Sequence, residues 1–293
     1  MLWIILTVAA APLQVARNAF QRGLVGDAGP WGATLVRFLF GLPFSIAIFG
    51  VVALATRDAA PDPSLRFWLA AILGAVGQVA ATGALLMAMH RAGFAVATVL
   101  QQSSLPLAAL TGWWLLGDAL SARAWTGIAL ATAGLVALSW PRAGAARGTA
   151  AGVLLGLAAG AGFAVAFNGY RQAGLALDPA HPIYSATAAL VIAQVMQSAT
   201  LTFLLAVTRP QALAAVVGSW RQSLSAGFFG SAASACWFGA LALAPAGPVR
   251  AVALIETPIA AAVGRRLFRE RISVRQWLGG GLATAGVALT VLG

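Results

Sequence analysis

The stretch SARAWTGIALATAG at residues 121–134 returns near the end of the chain as SVRQWLGGGLATAG at residues 273–286. The repeat covers residues 106–138 and 258–290 without a gap, at a constant shift of 152, and 14 of the 33 aligned positions are identical. Both copies lie in an almost entirely apolar sequence. Internal symmetry of this kind is typical of membrane proteins built from two related halves. The stretch therefore predicts a duplicated membrane protein.

The composition excludes an ordinary soluble domain. Of the 293 residues, 60% are hydrophobic and 9% are charged, and the mean hydropathy is +0.88. Soluble domains carry roughly 25% charged residues. Too little charge is present to cover a globule in water, so the main solvent of this chain is expected to be lipid.

The net charge of +11 comes from arginines alone, because the sequence has no lysine. The arginines stand singly between apolar runs, as anchors at the headgroups do, and no basic stripe indicates a nucleic-acid partner. Cys236 is the one cysteine, so no intrachain disulfide can form. No metal-ligand cluster or phosphate-binding loop is found, so we expect no cofactor and no ATP hydrolysis. Residues 1–11 lack a basic start and are interpreted as a first span, not a signal peptide.

Charged and turn-forming residues divide the chain into ten apolar segments, each about as long as the ~20 residues that cross a bilayer. They are residues 2–20, 30–56, 67–89, 94–116, 124–140, 149–170, 183–207, 224–243, 249–268 and 274–292. Because five is odd, a second copy of five spans must lie upside down relative to the first. The fold class predicted is an all-α integral membrane protein with ten transmembrane helices, arranged as two inverted five-helix repeats. Residues 1–141 and 149–293 form the repeats, and residues 142–148 the linker.

The end of span four and the start of span five read LGDALSARAWTG at residues 116–127. This resembles the LGE-x-x-S-x-x-Q-x-x-G stretch of the drug/metabolite transporter superfamily, in its EamA-type ten-helix branch, although Asp118 stands where glutamate is usual. The second copy fits better, with Glu270, Ser273, Gln276 and Gly279. The resemblance covers the whole chain. It implies a multi-pass exporter of the bacterial inner membrane, and general likeness favours the YddG-like aromatic amino-acid exporters.

Glu256 is the one acidic residue deep in a predicted span. It is interpreted either as a proton-coupling or substrate-amine site, or as half of a structural pair with an arginine such as Arg17 or Arg37. Both readings stay open at this point.

Polar residues precede a proline in the middle of two corresponding spans. Span four carries Gln101, Gln102 and two serines before Pro106, and span nine carries Glu256 and a threonine before Pro258. Aligning Gly93 with Gly247 places Gln102 opposite Glu256. Proline frees a backbone carbonyl, and helices broken at matching positions in two halves indicate a binding site. The alternative is that these groups tie helices together.

Further polar groups in the spans suggest an uncharged, amide-rich lining. Gln14 and Asn18 share a helix face, as do Gln194 and Gln197. Such a lining suits a small polar or zwitterionic solute better than a phosphate ester, which would call for paired basic residues. The candidate substrate-binding residues are Gln14, Asn18, Gln78, Gln101, Gln102, Asn168, Trp237 and Glu256.

Two patterns in span six have structural alternatives. Phe163, Phe167 and Tyr170 share one face with spacings of four and three, so they could stack on an aromatic solute or simply pack. Gly152, Gly156 and Gly160 would let another helix approach closely.

The orientation in the membrane has two opposed indications. Thirteen of the 18 arginines fall in or beside the odd-numbered connections, which would place both termini outside the cytoplasm. The family resemblance implies cytoplasmic termini.

The predicted function is a secondary transporter, not an enzyme, that exports small metabolites, most of all neutral or aromatic amino acids, by alternating access. A multidrug, purine or organic-acid exporter of the same fold is the alternative. An intramembrane enzyme would need a nucleophile or second acid at the depth of Glu256, and a non-transporting scaffold would need no polar midplane. The partners expected are a small-molecule substrate, the lipid bilayer and no nucleic acid. The sequence leaves proton coupling and the oligomeric state open, and a monomer is compatible with it.

Overall fold

A computed structural model describes residues 1–139 and 147–268, together with residues 278–279, 281–282, 285–286 and 288–289. Every regular element within these residues is a helix. The elements are α1 Leu2–Leu39, α2 Leu42–Ala55, α3 Leu65–Ala92, α4 Phe94–Gln101, α5 Ser104–Leu116, α6 Ala122–Ser139, α7 Arg147–Leu177, α8 Pro182–Thr208, α9 Pro210–Gly218, α10 Trp220–Leu243, α11 Ala246–Val252, a 3₁₀ turn Ala253–Ile255, and α12 Glu256–Phe268.

Seven helical segments in the described part of the chain are long and apolar enough to cross a membrane. They are Leu2–Gly26, Ala28–Ala55, Leu65–Ala92, Ala150–Leu177, Pro182–Thr208, Trp220–Leu243 and Ala246–Leu267. They coincide with predicted spans one to three and six to nine, which confirms the all-helical, multi-pass class. Span four is divided into α4 and α5, and span five forms α6. Most of span ten and most of the linker lie outside the described residues.

The predicted connection between spans one and two is a kink inside one long helix. Gly29 has a φ of 69°, which only glycine adopts without strain, and Pro30 then begins a new helical run. Gln21 Nε2 donates to the Ala33 carbonyl oxygen over 2.7 Å and joins the two arms of α1.

The distribution of polarity is that of a protein in lipid. Large apolar side chains stay exposed on the helices: Trp114 is 76% exposed, Phe203 73% and Leu54 71%. Amides and charges in the spans are buried instead, with Gln14 3% and Glu256 0% exposed. Apolar side chains lose nothing by facing acyl chains, whereas polar groups must find partners inside the protein.

The chain forms two compact units, and each takes segments from both halves of the sequence. Unit 1 comprises Met1–Val79 and Ala166–Ala244, and unit 2 comprises Ala80–Val165 and Pro245–Gly293. The unit boundaries fall inside α3 and α7, so these two helices contribute to both units. The units therefore divide the chain differently from the two sequence repeats, whose bounds stay a prediction.

The glycine stripe of α7 packs closely on its neighbours in unit 2. A Cβ added at Gly156 would lie 2.6 Å from the Leu100 Cβ, and one at Gly152 would lie 2.7 Å from the Ala92 Cβ. Real Cβ atoms do not approach this closely. The close approach predicted from the glycine spacing is confirmed.

Candidate functional site

In unit 1, one face of α1 is polar and buried. Gln14, Arg17, Asn18 and Gln21 recur at helical spacing, and none is more than 3% exposed. Each of these side chains could satisfy its hydrogen bonds in water, so burying four of them on one face of a membrane-crossing helix is costly. The face is therefore a candidate site within unit 1.

Trp237 of α10 faces this polar surface. Its indole Nε1 donates to Gln14 Oε1 over 2.8 Å, and its ring lies 5.9 Å from the Phe167 ring, tilted by 34°. The hydrogen bond fixes the edge of the indole while the ring face packs on α7. The pair presents an amide and an aromatic surface side by side, which are the groups that bind an amphipathic solute.

Two guanidinium groups lie in the same region of unit 1. Arg17 donates through Nε and Nη2 to Asn18 Oδ1, over 3.1 and 2.5 Å, and Arg37 Nη2 donates to Ser234 Oγ over 3.1 Å. A Cβ at Gly230 would lie 3.1 Å from Arg37 Cγ and 3.4 Å from Arg17 Cδ, so both side chains pass the same point of α10. Both arginines are fully buried.

Gln78 belongs to a tightly bonded triangle in unit 1. Tyr170 Oη donates to Gln78 Oε1 over 2.8 Å, and Gln197 Nε2 lies 2.9 Å from Gln78 Oε1 and 3.1 Å from the Ala75 carbonyl oxygen. The Tyr170 ring packs on Phe238 with centroids 3.9 Å apart. These contacts tie α3, α7, α8 and α10 together, so the geometry supports a packing role for this group.

Gln194 is also bonded between helices. Its Nε2 donates to Ser231 Oγ over 3.1 Å, and Ser231 Oγ donates to the Gly41 carbonyl oxygen over 2.7 Å. Asn168 lies buried on α7, next to Phe167. Phe163 is likewise buried, in the part of α7 that belongs to unit 2.

In unit 2, the two proline-containing spans break where the sequence predicts. Pro106 has no N–H for the Gln102 carbonyl, which instead accepts from the Leu105 amide over 2.9 Å, and the helix divides into α4 and α5. Pro258 likewise follows Leu254 by four residues, and Leu254 lies in the 3₁₀ turn between α11 and α12. The matching breaks place polar side chains at the end of one helical piece and the start of the next.

A buried charged group links these breaks within unit 2, and we call Gln102, Arg250 and Glu256 the clasp. Gln102 Nε2 donates to Glu256 Oε2 over 3.0 Å, and its Oε1 accepts from Arg250 Nη2. Arg250 Nη1 lies 3.8 Å from Glu256 Oε1. All three side chains are fully buried, so they are shielded from water in this conformation.

Other polar atoms at the same breaks have no hydrogen-bond partner among the described residues. They are both amide atoms of Gln101, the hydroxyl of Ser103 and the hydroxyl of Thr257. A buried polar group without a partner costs about 1–3 kcal/mol. Such groups are expected where a ligand or water occupies the site in part of a working cycle.

The structure gathers the predicted site residues into separate groups. Gln14, Asn18 and Trp237 lie together in unit 1, with Asn168 on the neighbouring α7, whereas Gln78 belongs to the bonded triangle. In unit 2, Gln102 and Glu256, which occupy equivalent positions in the repeat alignment, are hydrogen-bonded to each other, and Gln101 lies beside Gln102 in the sequence. Their role in binding a substrate stays a prediction.

Three arginines that the sequence interprets mainly as headgroup anchors are buried. Arg17, Arg37 and Arg250 are 0–1% exposed inside helices, and the sequence offers only Arg17 and Arg37 as alternative buried partners, of Glu256. A signal was present for Arg17, which lies one helical turn from Gln14 and beside Asn18. For Glu256, the structure supplies a partner from its own span, Arg250, which the sequence did not suggest.

Three titratable side chains of unit 1 lie close together outside the membrane-spanning segments. His181 Nδ1 lies 2.9 Å from Asp178 Oδ2 and its Nε2 lies 3.2 Å from Asp58 Oδ2. The Asp178 hydrogen bond, outweighing partial burial, raises the pKa of His181 above 6.5. Burial would raise the pKa of Asp178, but bonds from His181 and the Ala60 and Ala180 amides lower it overall.

Unit 2 also has an open groove of about 600 Å³. Its lining is apolar apart from Thr132, whose hydroxyl donates to the Ile128 carbonyl oxygen over 2.7 Å. A lining this apolar does not suit a polar solute, so the groove is not a candidate for the solute site.

Comparison with known proteins agrees with this architecture. A solved structure described as "Crystal structure of protein" is similar over 99% of this chain and 97% of its own, with a TM-score of 0.64 and 17% identity, which shows the fold alone. No curated protein matches the chain. The model of the EamA-like transporter family matches residues 1–140 and 150–292, nearly the whole chain in two halves. The chain belongs to the EamA-like transporter family.

Proposed function

We propose that this EamA-like transporter exports amino acids of neutral or aromatic character across the bacterial inner membrane by alternating access. Family membership implies a multi-pass membrane transporter of small molecules, in lipid, and not an enzyme. The proposal adds the solute class, the direction and the mechanism. It also takes the chain as ten membrane helices in two inverted five-helix repeats, for which the two-part family match is the support.

The observation that carries the solute class is the Gln14–Trp237 pair. An indole and a primary amide lie side by side, buried, on helices that cross the membrane. A solute with an apolar ring and a polar backbone would find an aromatic face and hydrogen-bonding groups there. Asn18 and Asn168 extend the set of amides on α1 and α7.

Gln101 is the proposed contact in unit 2. Its amide is fully buried and both of its polar atoms lack hydrogen-bond partners among the described residues. A group that both donates and accepts, such as the amino-acid backbone or a water molecule, would satisfy it. Alternating access supplies the conformation in which such a group enters.

The geometry of the clasp favours a structural role for Glu256 over proton transfer. Protonating Glu256 would remove a negative charge from a point 3.8 Å from the Arg250 guanidinium. Breaking a buried pair in this way costs several kcal/mol. Proton coupling through Glu256 would therefore require Arg250 to move away first.

Reconstitution in liposomes tests the proposal. Vesicles containing the purified protein are loaded with labelled phenylalanine, leucine or glutamate, and efflux is followed with and without a pH gradient. We expect efflux of phenylalanine and leucine, with a reduced rate for Trp237→Ala and an unchanged rate for Trp114→Ala, since Trp114 is exposed on α5. No flux of any amino acid would overturn the solute class, and an equal loss in both variants would remove Trp237 from the site.

A further inference from the structure

The connection between α2 and α3 is bonded to the connection between α7 and α8, at one end of unit 1. The Asp62 amide donates to the Leu177 carbonyl oxygen over 2.7 Å, and the Ala60 amide donates to Asp178 Oδ2 over 2.9 Å. Asp178 Oδ1 also accepts from the Ala180 amide over 3.1 Å. The Asp178 carboxylate is therefore fixed between the two connections by backbone donors from both of them.

His181 adds a second link between these connections, through both of its ring nitrogens. Its Nδ1 lies 2.9 Å from Asp178 Oδ2, and its Nε2 lies 3.2 Å from Asp58 Oδ2. An ionised carboxylate only accepts hydrogen bonds, and a neutral imidazole has a single N–H. Both contacts are therefore hydrogen bonds only when the ring carries two protons.

The contact with Asp58 is the one that a neutral ring gives up. The Asp178 side chain is 6% exposed and the Asp58 side chain 81% exposed, so water can replace His181 at Asp58 far more easily. A neutral ring keeps its N–H on Asp178 and turns a lone pair toward Asp58. The bonds from the Asp62 and Ala60 amides need no proton on the histidine, so the α2–α3 connection is loosened but stays attached.

The charges around His181 favour the doubly protonated ring. The hydrogen bond to Asp178 raises the pKa of His181 most, partial burial lowers it, and the Asp58 carboxylate raises it further. Stabilisation by the ring is therefore complete below pH 6.5 and is lost as the pH rises through the pKa of the folded state. The other charged or titratable side chains on these connections and the adjoining helix ends are exposed or half-buried: Arg57, Asp62, Arg66, Arg171 and Tyr184.

We propose that Asp58, Asp178 and His181 form a proton-operated latch, which slows transport while His181 is protonated. The inference rests on the proposed alternating access, in which each end of the protein must open in turn. The two latched connections adjoin α3 and α7, and Arg66 Nη2 joins these helices at the same end by donating to Gln172 Oε1 over 2.5 Å. A closed latch thus opposes the separation of α3 and α7 at this end.

The titration of histidine tests the latch without any transport. The chain has two histidines, so isotope-labelled histidine gives two ring signals in the purified protein, and His90→Asn identifies the signal of His181. We expect Asp58→Ala to lower the pKa of His181. Asp62→Ala, at an exposed aspartate whose bond to Leu177 uses the backbone, should leave it unchanged. An unchanged pKa of His181 in Asp58→Ala would overturn the latch.

Efflux from proteoliposomes tests the effect on transport. Labelled phenylalanine is followed at about pH 5.5 and about pH 8.5, values on either side of the histidine titration, with the same pH inside and outside. We expect efflux to be roughly two- to fivefold faster at the higher pH, the factor that corresponds to one exposed ion pair. Asp58→Ala should be fast at both pH values, and Asp62→Ala should behave like the parent protein. An Asp58→Ala protein with the pH dependence of the parent would overturn the regulation of transport.

The failure of the proposed function is distinguishable from that of the inference. If no amino acid is transported by the parent protein or any variant, the amino-acid proposal fails, and the histidine titration still decides on the contact between His181 and Asp58. If phenylalanine is transported and Asp58→Ala leaves the pH dependence of efflux unchanged, the regulation of transport is overturned and the amino-acid proposal stands.

Discussion

Replacing one charged member of the clasp should destabilise the protein more than replacing both. Arg250 and Glu256 lie 3.8 Å apart and fully buried. Two unit charges at this separation attract by ~4 kcal/mol at an effective dielectric constant of 20, in line with the ~3–5 kcal/mol lost when one partner of a buried pair is removed. The variants are Glu256→Gln, Arg250→Met and the double replacement.

The expected result is a strongly non-additive cycle. Each single variant should lower the melting temperature of the detergent-purified protein by about 10 °C, given ~2–4 °C per kcal/mol for a chain of this size. The double variant should melt at a higher temperature than either single variant, because neither Arg250 nor Glu256 then remains as a buried charge without the other.

The control is Arg266→Met, which removes an exposed arginine from α12 and should shift the melting temperature little. Melting is followed by the loss of the monodisperse fraction after heating, in one detergent for all variants. Single variants within about 2 °C of the parent protein, or a double variant that melts at the sum of the single shifts, would refute the structural role of the pair.

The His181 contacts with Asp58 and Asp178 should stabilise the connection that contains Asp58 most strongly between pH 3.8 and 6.5. Because folding raises the pKa of His181, its stabilising contribution is complete below pH 6.5 and is lost as the pH rises through the pKa of the folded state. Because folding lowers the pKa of Asp178, its stabilising contribution is complete above pH 3.8. Tryptic cleavage at Arg57 is therefore expected to accelerate above neutral pH, after correction for trypsin activity. Gly156→Ala should lower the melting temperature, because the new Cβ would meet Leu100 at 2.6 Å. Gln101→Leu should raise stability by ~1–3 kcal/mol, seen as a higher melting temperature, and slow efflux, because it removes a buried amide without partners.

Two of these three expectations have a matched control, and the third has an outcome that would contradict it. His90→Asn, at an exposed histidine, should leave the pH dependence of cleavage unchanged, whereas His181→Asn should abolish it. Gly50→Ala meets no atom within 4 Å and should melt like the parent protein. A Gln101→Leu protein that loses stability would show that the amide is bonded in the folded state.

The breaks in the two spans could be predicted from the sequence because their cause is local. Proline removes an amide hydrogen wherever it stands, so Pro106 and Pro258 mark the disturbed turns without any knowledge of packing. The internal alignment made Gln102 and Glu256 equivalent positions of the two copies, but it did not predict that Gln102 Nε2 would lie 3.0 Å from Glu256 Oε2.

The buried arginines could not be predicted in the same way. Arg37 was counted among the headgroup anchors in or beside the connections, although it falls within predicted span two, residues 30–56. The kink at Gly29 instead lets α1 continue, and Arg37 lies well inside the span Ala28–Ala55. Whether an arginine faces headgroups or a neighbouring helix depends on packing between distant segments, such as α1 with α10, which a single sequence does not report.

Each unit takes segments from both halves of the sequence, and this arrangement determines when each unit can fold during synthesis. Unit 1 needs Ala244 and unit 2 needs residues beyond Pro245, so neither can close when the ribosome has finished only the first half. Until α10 has been synthesised, the early helices lie in the bilayer without the α10 residues that pack beside Gln14, Arg17 and Asn18 in the folded protein. A nascent chain in this state is exposed to quality-control proteases, and a slow or truncated second half would leave the first without its core.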